Sequence, residues 1–166
     1  MNTLIVFVAQ YLIFVLSFCM LLAYITMDES KRKRFIISFI MAGVFGYILL
    51  MIADNLYYDP RPFVSSGIQP LFQHSADNGF PSDHTTVSAL AAFIVFVFSR
   101  KIGIVMSIFA FMIGAARVFA HVHSWIDILG AIVIALITAG IAVFLSKAIL
   151  IKIMNGGDNE PMIAEK

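Results

Sequence analysis

Apolar residues run along this chain in long blocks rather than at the intervals of an amphipathic helix. Five stretches, at about 3–26, 35–53, 85–99, 102–120 and 127–150, are almost free of charge. Most of them approach the roughly 20 residues that a helix needs to cross the hydrocarbon core of a bilayer. A helix can occupy that core because it satisfies its own backbone hydrogen bonds. Gly43, Gly46, Gly114, Gly130 and Gly140 fall inside these blocks, where small residues let membrane helices approach closely. The pattern predicts an all-α fold, a polytopic transmembrane helix bundle of about five spans. It forms a single domain over residues 1–154. The polar stretch 155–166, with Gly156, Gly157 and Pro161, is expected to be a flexible cytoplasmic tail.

Composition strengthens this expectation. With 61% hydrophobic and 13% charged residues in a chain of 166, there is too little polar surface to clothe a soluble domain. A net charge of +1 and the lack of a basic patch interleaved with aromatics argue against nucleic acid as a partner. The single cysteine, Cys19, allows neither an intrachain disulfide nor a cysteine-rich metal cluster. The first 26 residues lack a basic start and a small-residue cleavage site, and they run too long for a signal peptide, so they read as a retained membrane helix.

Lysine and arginine placement orients the bundle, since loops rich in these residues stay cytoplasmic. Lys31, Arg32, Lys33 and Arg34 follow the first stretch, Arg100 and Lys101 the third, and Lys147, Lys152 and Lys166 close the fifth. The amino terminus is therefore expected outside and the carboxyl terminus in the cytoplasm. Only Arg61 and Arg117 remain on the outer side. All four histidines (His74, His84, His121 and His123) and Asp54, Asp59, Asp77, Asp83 and Asp127 share that side with them. The expected location is the cell membrane, with the polar cluster facing outward.

Ionisable groups at membrane depth are costly and usually functional, and these are the parts of a phosphoryl-transfer site. His123 and Asp127 are four apart at the start of the fifth stretch, so a helical turn would set the carboxylate against one ring nitrogen and free the other to attack phosphorus. His123 is the expected nucleophile, Asp127 its partner, and His84 the acid for the leaving oxygen. Arg61 and Arg117 can each fork two donors onto phosphate. Ser82, just ahead of the third stretch, adds a hydroxyl where a helix amino end favours anions. Asp83 is open between helix capping and substrate contact. The scheme requires no metal and no cofactor, and the H-E-x-x-H spacing of a helical zinc site does not occur. Nothing in the spacing recruits His74 or His121, which read as structural groups. Tyr57, Tyr58, Phe63, Phe80 and Trp125 fit an interfacial aromatic belt.

Over residues 54–127 the pattern resembles the membrane-bound type 2 phosphatidic acid phosphatase superfamily, whose signature reads K-x6-R-P, P-S-G-H and S-R-x5-H-x3-D. The resemblance implies a metal-independent lipid phosphatase working through a phosphohistidine on His123, with Asp127 and His84 assisting and Arg61, Ser82 and Arg117 holding phosphate. The R-P-F and F-P-S-D-H segments look like the bacterial undecaprenyl-diphosphate phosphatase branch. Three positions depart from the signature: Asp54 stands at the lysine, Asp83 at the glycine and Ala116 at the serine. An acid cannot bind a phosphate anion directly, so Asp54 is not assigned to it. Members of the family commonly have six membrane helices, against five here. The expected partners are the bilayer and a lipid substrate, with undecaprenyl diphosphate leading. Phosphatidic acid or phosphatidylglycerol phosphate is the alternative substrate, and a non-catalytic lipid-binding or transport protein the alternative class.

Overall fold

The computed structural model describes residues 1–157. Six helices follow in order: α1 (Asn2–Thr26), α2 (Glu29–Leu56), α3 (Pro62–Ser66), α4 (Asp83–Phe98), α5 (Arg100–Phe119) and α6 (Trp125–Gly157). Among the described residues there is no strand, only a single bridge between Pro60 and Asn78. Helices α1, α2, α5 and α6 are long and apolar enough to cross a membrane. Helix α4, at 16 residues, is the short member, about 24 Å long at 1.5 Å per residue. The all-helical bundle expected from the blocks of apolar residues is present. Helix α6 continues through Gly157, and the remainder of the expected tail, 158–166, lies outside the described residues.

The outward faces show what solvent the bundle is made for. Along α1, Phe7, Phe14, Phe18, Leu21 and Ile25 are exposed while Ala9, Leu12, Leu16 and Ala23 are buried. Both faces are apolar, so the core and the surroundings are distinguished by residue size rather than polarity, the arrangement that suits lipid.

Helix α4 sits at the centre and packs against α1, α2, α5 and α6. Its buried residues include Thr85, Thr86, Ser88, Ala89, Ala91 and Ala92, small side chains that let four neighbours close around it. A single residue, Ser99, joins it to α5, and this turn brings Gly103 against the Phe96 backbone, where a Cβ has no room.

The basic run after α1 is helical rather than a loop, because α2 begins at Glu29, earlier than the apolar block at 35. Charged residues with long straight side chains are good helix formers once outside hydrocarbon. Two of them also tie helices together. Arg32 donates from Nε to Met27 O at 2.9 Å and from Nη2 to Ile25 O at 2.7 Å, closing the last carbonyls of α1. Arg34 donates to Val143 O of α6 at 3.2 Å and lies 5.6 Å over the Phe98 ring. One end of the bundle thus holds Lys31, Arg32, Lys33, Arg34, Arg100 and Lys101. The helix starts and ends at the other gather Arg61, Arg117 and all four histidines.

Gly103→Ala is expected to cost about 1–3 kcal/mol, the usual range for overpacking a close contact. Thermal unfolding in detergent should show a lowered midpoint; an unchanged midpoint would mean that the α4–α5 crossing is looser than described.

Candidate functional site

Arg61 precedes α3, whose first turn begins with Pro62. Proline is well placed there, since an N1 residue needs no N–H partner. The guanidinium is 6% exposed and nearly all its donors are spoken for. Nε donates to Asp77 Oδ1 at 2.7 Å, Nη2 to Asn78 O at 3.0 Å, and Nη1 to Val122 O at 2.9 Å. Nη1 also stands 3.1 Å from Nε2 of His123. The residue expected to fork onto phosphate is therefore also the joint between the α3–α4 loop and the α5–α6 turn. Burial alone would raise the Asp77 carboxyl, but the hydrogen bond and charge of Arg61 outweigh it and hold it below the ordinary carboxylate value.

His123 and Asp127 meet as their spacing predicts. His123 Nδ1 lies 3.1 Å from Asp127 Oδ2 and 3.0 Å from Gly79 O. Arg61 Nη1, which can only donate, is 3.4 Å from Nδ1 and nearer to Nε2, while the two acceptors sit closer to Nδ1, so the network places the ring proton on Nδ1 and the lone pair on Nε2. Burial lowers the basicity of this imidazole, Arg117 and Arg61 push the same way, and the Asp127 bond opposes them; the net shift is downward. Asp127 is fully buried. Its Oδ2 also accepts from Ser124 N at 2.8 Å, and Ser124 Oγ accepts from Asp127 N at 3.4 Å. This is a capping box at the start of α6, so one carboxylate both starts the helix and orients the imidazole. Gly79 is needed for the approach: a Cβ there would stand 2.9 Å from Asp127 Oδ2 and 3.0 Å from Asp59 O.

Arg117, in the last turn of α5, is 2% exposed. Nη1 reaches Ala9 O of α1 at 3.4 Å and Nη2 meets His74 Nε2 at 2.9 Å, while Nε is buried with no partner among the described residues. Ser82 is the N-cap of α4 and fully buried; its Oγ accepts from Thr85 Oγ1 at 3.1 Å, which leaves its own proton free to donate. His84 lies half-buried in the first turn of α4, with no hydrogen bond to a described residue, and Arg117, His123 and His74 are the charged or titratable groups that bear on it. Asp83 is exposed at the first position of α4 and makes no cap hydrogen bond; it faces a cavity of about 490 Å³ together with Asp54, Arg61 and Asp77.

Several participants are not singled out by sequence reasoning. Asn78 is the hub of the loop. Its Nδ2 donates to Asp54 O, Asp54 Oδ1 and Tyr57 O at 2.8–3.0 Å, and its Oδ1 accepts from Asp59 N and Phe80 N. Asp54, at the signature's lysine position, is thus a loop anchor. Asp59 accepts from Ser124 Oγ at 2.6 Å. The Ser124-x-x-Asp127 spacing is a capping-box signal readable in the sequence, whereas nothing local marks Asn78 or His74. His121 stays with its backbone role: at φ 63° it is the left-handed residue that ends α5, with Val122 N donating to Arg117 O at 3.2 Å and His121 N to Val118 O at 2.9 Å.

Helices apolar on all sides, enclosing polar chemistry at one end only, define a multi-pass membrane protein. Residues 13–149 match the PAP2 superfamily, and the chain belongs to that family. It is 34% identical to the undecaprenyl-diphosphatase BcrC of Bacillus subtilis (strain 168) over 138 residues, which is 82% of this chain and 70% of that protein. It is 28% identical to the bacitracin transport permease protein BcrC of Bacillus licheniformis, over 84% of this chain and 68% of that one. The crystal structure of Aquifex aeolicus LpxE shares the fold, with a TM-score of 0.66 at 22% identity, covering 86% of this chain and 84% of the other. In class, the protein is a membrane lipid phosphatase.

Two substitutions check the geometry. Arg61→Lys keeps the charge but cannot reach Asp77, Asn78 and Val122 together, and is expected to cost about 2–3 kcal/mol of stability. His121→Val places a β-branched residue at positive φ and should cost about 1–2 kcal/mol, while His121→Gly should not destabilise. Thermal unfolding in detergent reads both; equal midpoints for His121→Val and His121→Gly would contradict the left-handed assignment.

Proposed function

We propose that the protein removes the terminal phosphate of a polyprenyl diphosphate, undecaprenyl diphosphate in the first instance, at the outer face of the cell membrane. The carrying observation is the state of His123: Nδ1 is held by two acceptors and Nε2 is turned toward a guanidinium. That is what a nucleophile for phosphorus requires, with a lone pair aimed at a site where cationic donors gather.

In the proposed reaction, Arg61, Arg117 and the Ser82 hydroxyl receive the non-bridging oxygens of the terminal phosphoryl group. The Arg117 Nε–H, buried without a partner, is available for one of them. Nε2 of His123 attacks phosphorus, the P–O bond to the polyprenyl phosphate breaks, and His84 gives that oxygen a proton. Asp127 stabilises the imidazole as it becomes cationic. Water then attacks the phosphohistidine with its proton passing to His84; the P–N bond breaks and orthophosphate leaves. No step calls for a metal or cofactor.

The substrate assignment leans on two supports. A relative at 34% identity is named an undecaprenyl-diphosphatase. In addition, an apolar groove of about 370 Å³ between α1, α2 and α4 shares Tyr47, Leu50 and Val87 with the polar cavity lined by Arg61, Asp77 and Asp83, which favours a substrate with a long apolar chain. Basic residues at the far end of the bundle favour that end as cytoplasmic and the site as external.

Purified protein is expected to release orthophosphate from undecaprenyl diphosphate in the presence of chelator, and to do so faster than from phosphatidic acid or phosphatidylglycerol phosphate. His123→Ala should lose at least about 10³-fold in turnover, and labelled phosphate should be trapped on a histidine of the wild type. Turnover that survives the substitution would sink the mechanism, and binding without turnover would favour a lipid-binding role. The pH profile gives a further check. His123 must be neutral to attack and its basicity is lowered, so the acid limb of kcat/KM should fall below the ordinary imidazole value of 6.5. An acid limb above 6.5 would contradict that assignment.

A further inference from the structure

The loop between α3 and α4 lays a short segment across Arg117. Leu71 N donates to Ala120 O at 3.1 Å, anchoring the loop to the end of α5. The Phe72 ring lies 5.9 Å from the Arg117 guanidinium carbon, and His74 Nε2 is 2.9 Å from Arg117 Nη2. The ring centroids of His74 and His123 are 6.0 Å apart. Arginine carries no acceptor, so His74 Nε2 is unprotonated and the ring is neutral, its proton on Nδ1 toward Ser75 O at 3.4 Å. His74 thus occupies, on one of the two arginines, the position that an anionic oxygen would take. Beside it the Nε–H of the same guanidinium is buried and unpartnered.

Part of the donor set around this cluster is already committed. Arg61 commits three N–H groups to Asp77, Asn78 and Val122, Arg117 commits Nη1 to Ala9 O, and Asp54 is a carboxylate held by Asn78. Besides His84, His74 is a titratable nitrogen next to both Arg117 and His123.

We infer that His74 is a phosphate-binding residue of this site: as neutral imidazole it accepts from Arg117, and when a phosphoryl group arrives that hydrogen bond breaks, Nε2 takes up one proton from the bulk solvent, and both the imidazolium N–H and the freed Arg117 N–H donate to phosphate oxygens. This rests on the proposed phosphatase reading and extends it to a residue outside the family signature. The groups facing His74 are Arg61 ahead of α3, His84 on α4, Arg117 on α5, His123 in the α5–α6 turn and Asp77 on its own loop. Burial first, and then the charge of Arg61, hold the imidazole below its ordinary basicity in this geometry. A phosphate dianion among the same groups reverses the sign of the nearest charge and favours the imidazolium. Substrate binding then carries a proton with it.

The test uses inorganic phosphate as probe and the full-length protein in detergent, with affinity measured by titration calorimetry at about pH 6 and about pH 8, on either side of the ordinary imidazole range. Reading each variant against wild type at the same pH cancels the titration of phosphate itself. His74→Ala should weaken phosphate binding by about tenfold at the lower pH, the effect of one charge-assisted hydrogen bond, and by much less at the higher. His74→Gln, which can pair with Arg117 but cannot become cationic, should follow His74→Ala. His74→Lys, permanently charged, should bind tightly at both. The inference is overturned by equal affinity in His74→Ala and wild type at both pH values. It is also overturned if His74→Ala loses the same factor at both and His74→Gln restores it, since His74 would then only position Arg117. Phosphate release by the wild type, run in parallel with His123→Ala, separates the two ideas. A His74-dependent affinity alongside an active His123→Ala would reject the nucleophile and keep His74, while an inactive His123→Ala with unaltered phosphate affinity in His74→Ala would do the reverse.

Discussion

The buried guanidinium of Arg61 holds this end of the molecule together. Its donors go to a carboxylate and a carbonyl on the α3–α4 loop and to a carbonyl in the α5–α6 turn, and one of them faces His123. A cation at the edge of an apolar bundle survives only with acceptors for most of its donors. The acceptors in turn belong to segments that have no regular structure of their own. The loop from Gly67 to Pro81 would otherwise be a long structureless connection, of the kind that is usually mobile or functional. Arg61 and Asn78, which ties Asp54, Tyr57, Asp59 and Phe80 to one side chain, give it a fixed path instead. The loop reaches over the site with His74 because it is fastened on both sides.

Economy of polar groups is the second consequence of an apolar setting. Asp127 caps α6 through Ser124 and orients His123 with the same oxygen. Arg32 and Arg34, two charges of one basic run, close α1 and hold α6. Arg61 pairs with the loop and faces His123. In water these tasks could be divided among many side chains at little cost. In a bilayer each further ionised group would require its own set of partners, so roles accumulate on few residues, and substitutions among them are expected to couple rather than add.

Much of this was legible in the chain. Blocks of apolar residues of spanning length announced the helices, since only helices and closed barrels satisfy the backbone in hydrocarbon. The helical order and the short third span follow from where those blocks stop. The four-residue offset of His123 and Asp127 foretold a contact that closes at 3.1 Å, and the gathering of Arg61, Arg117, His84 and Ser82 at one end followed from the order of the spans. Helix α2 starts ahead of the apolar block at 35, because a charged run outside the hydrocarbon is free to be helical.

What the chain determined by itself rests on local physics: hydropathy over a helix length, and spacings of three and four residues that close within a turn. What only the tertiary structure decided concerns groups far apart in sequence. His74 meets Arg117 across 43 residues, Arg61 meets His123 across 62, and Asn78 reaches back 24 to Asp54. No periodicity marks such pairs, because their contact depends on how a long loop is folded back over the helix ends, and that path is set by the hydrogen bonds themselves. So Asp54, which at the signature's lysine position looked like a defect in a phosphate site, is an anchor for the loop that carries His74.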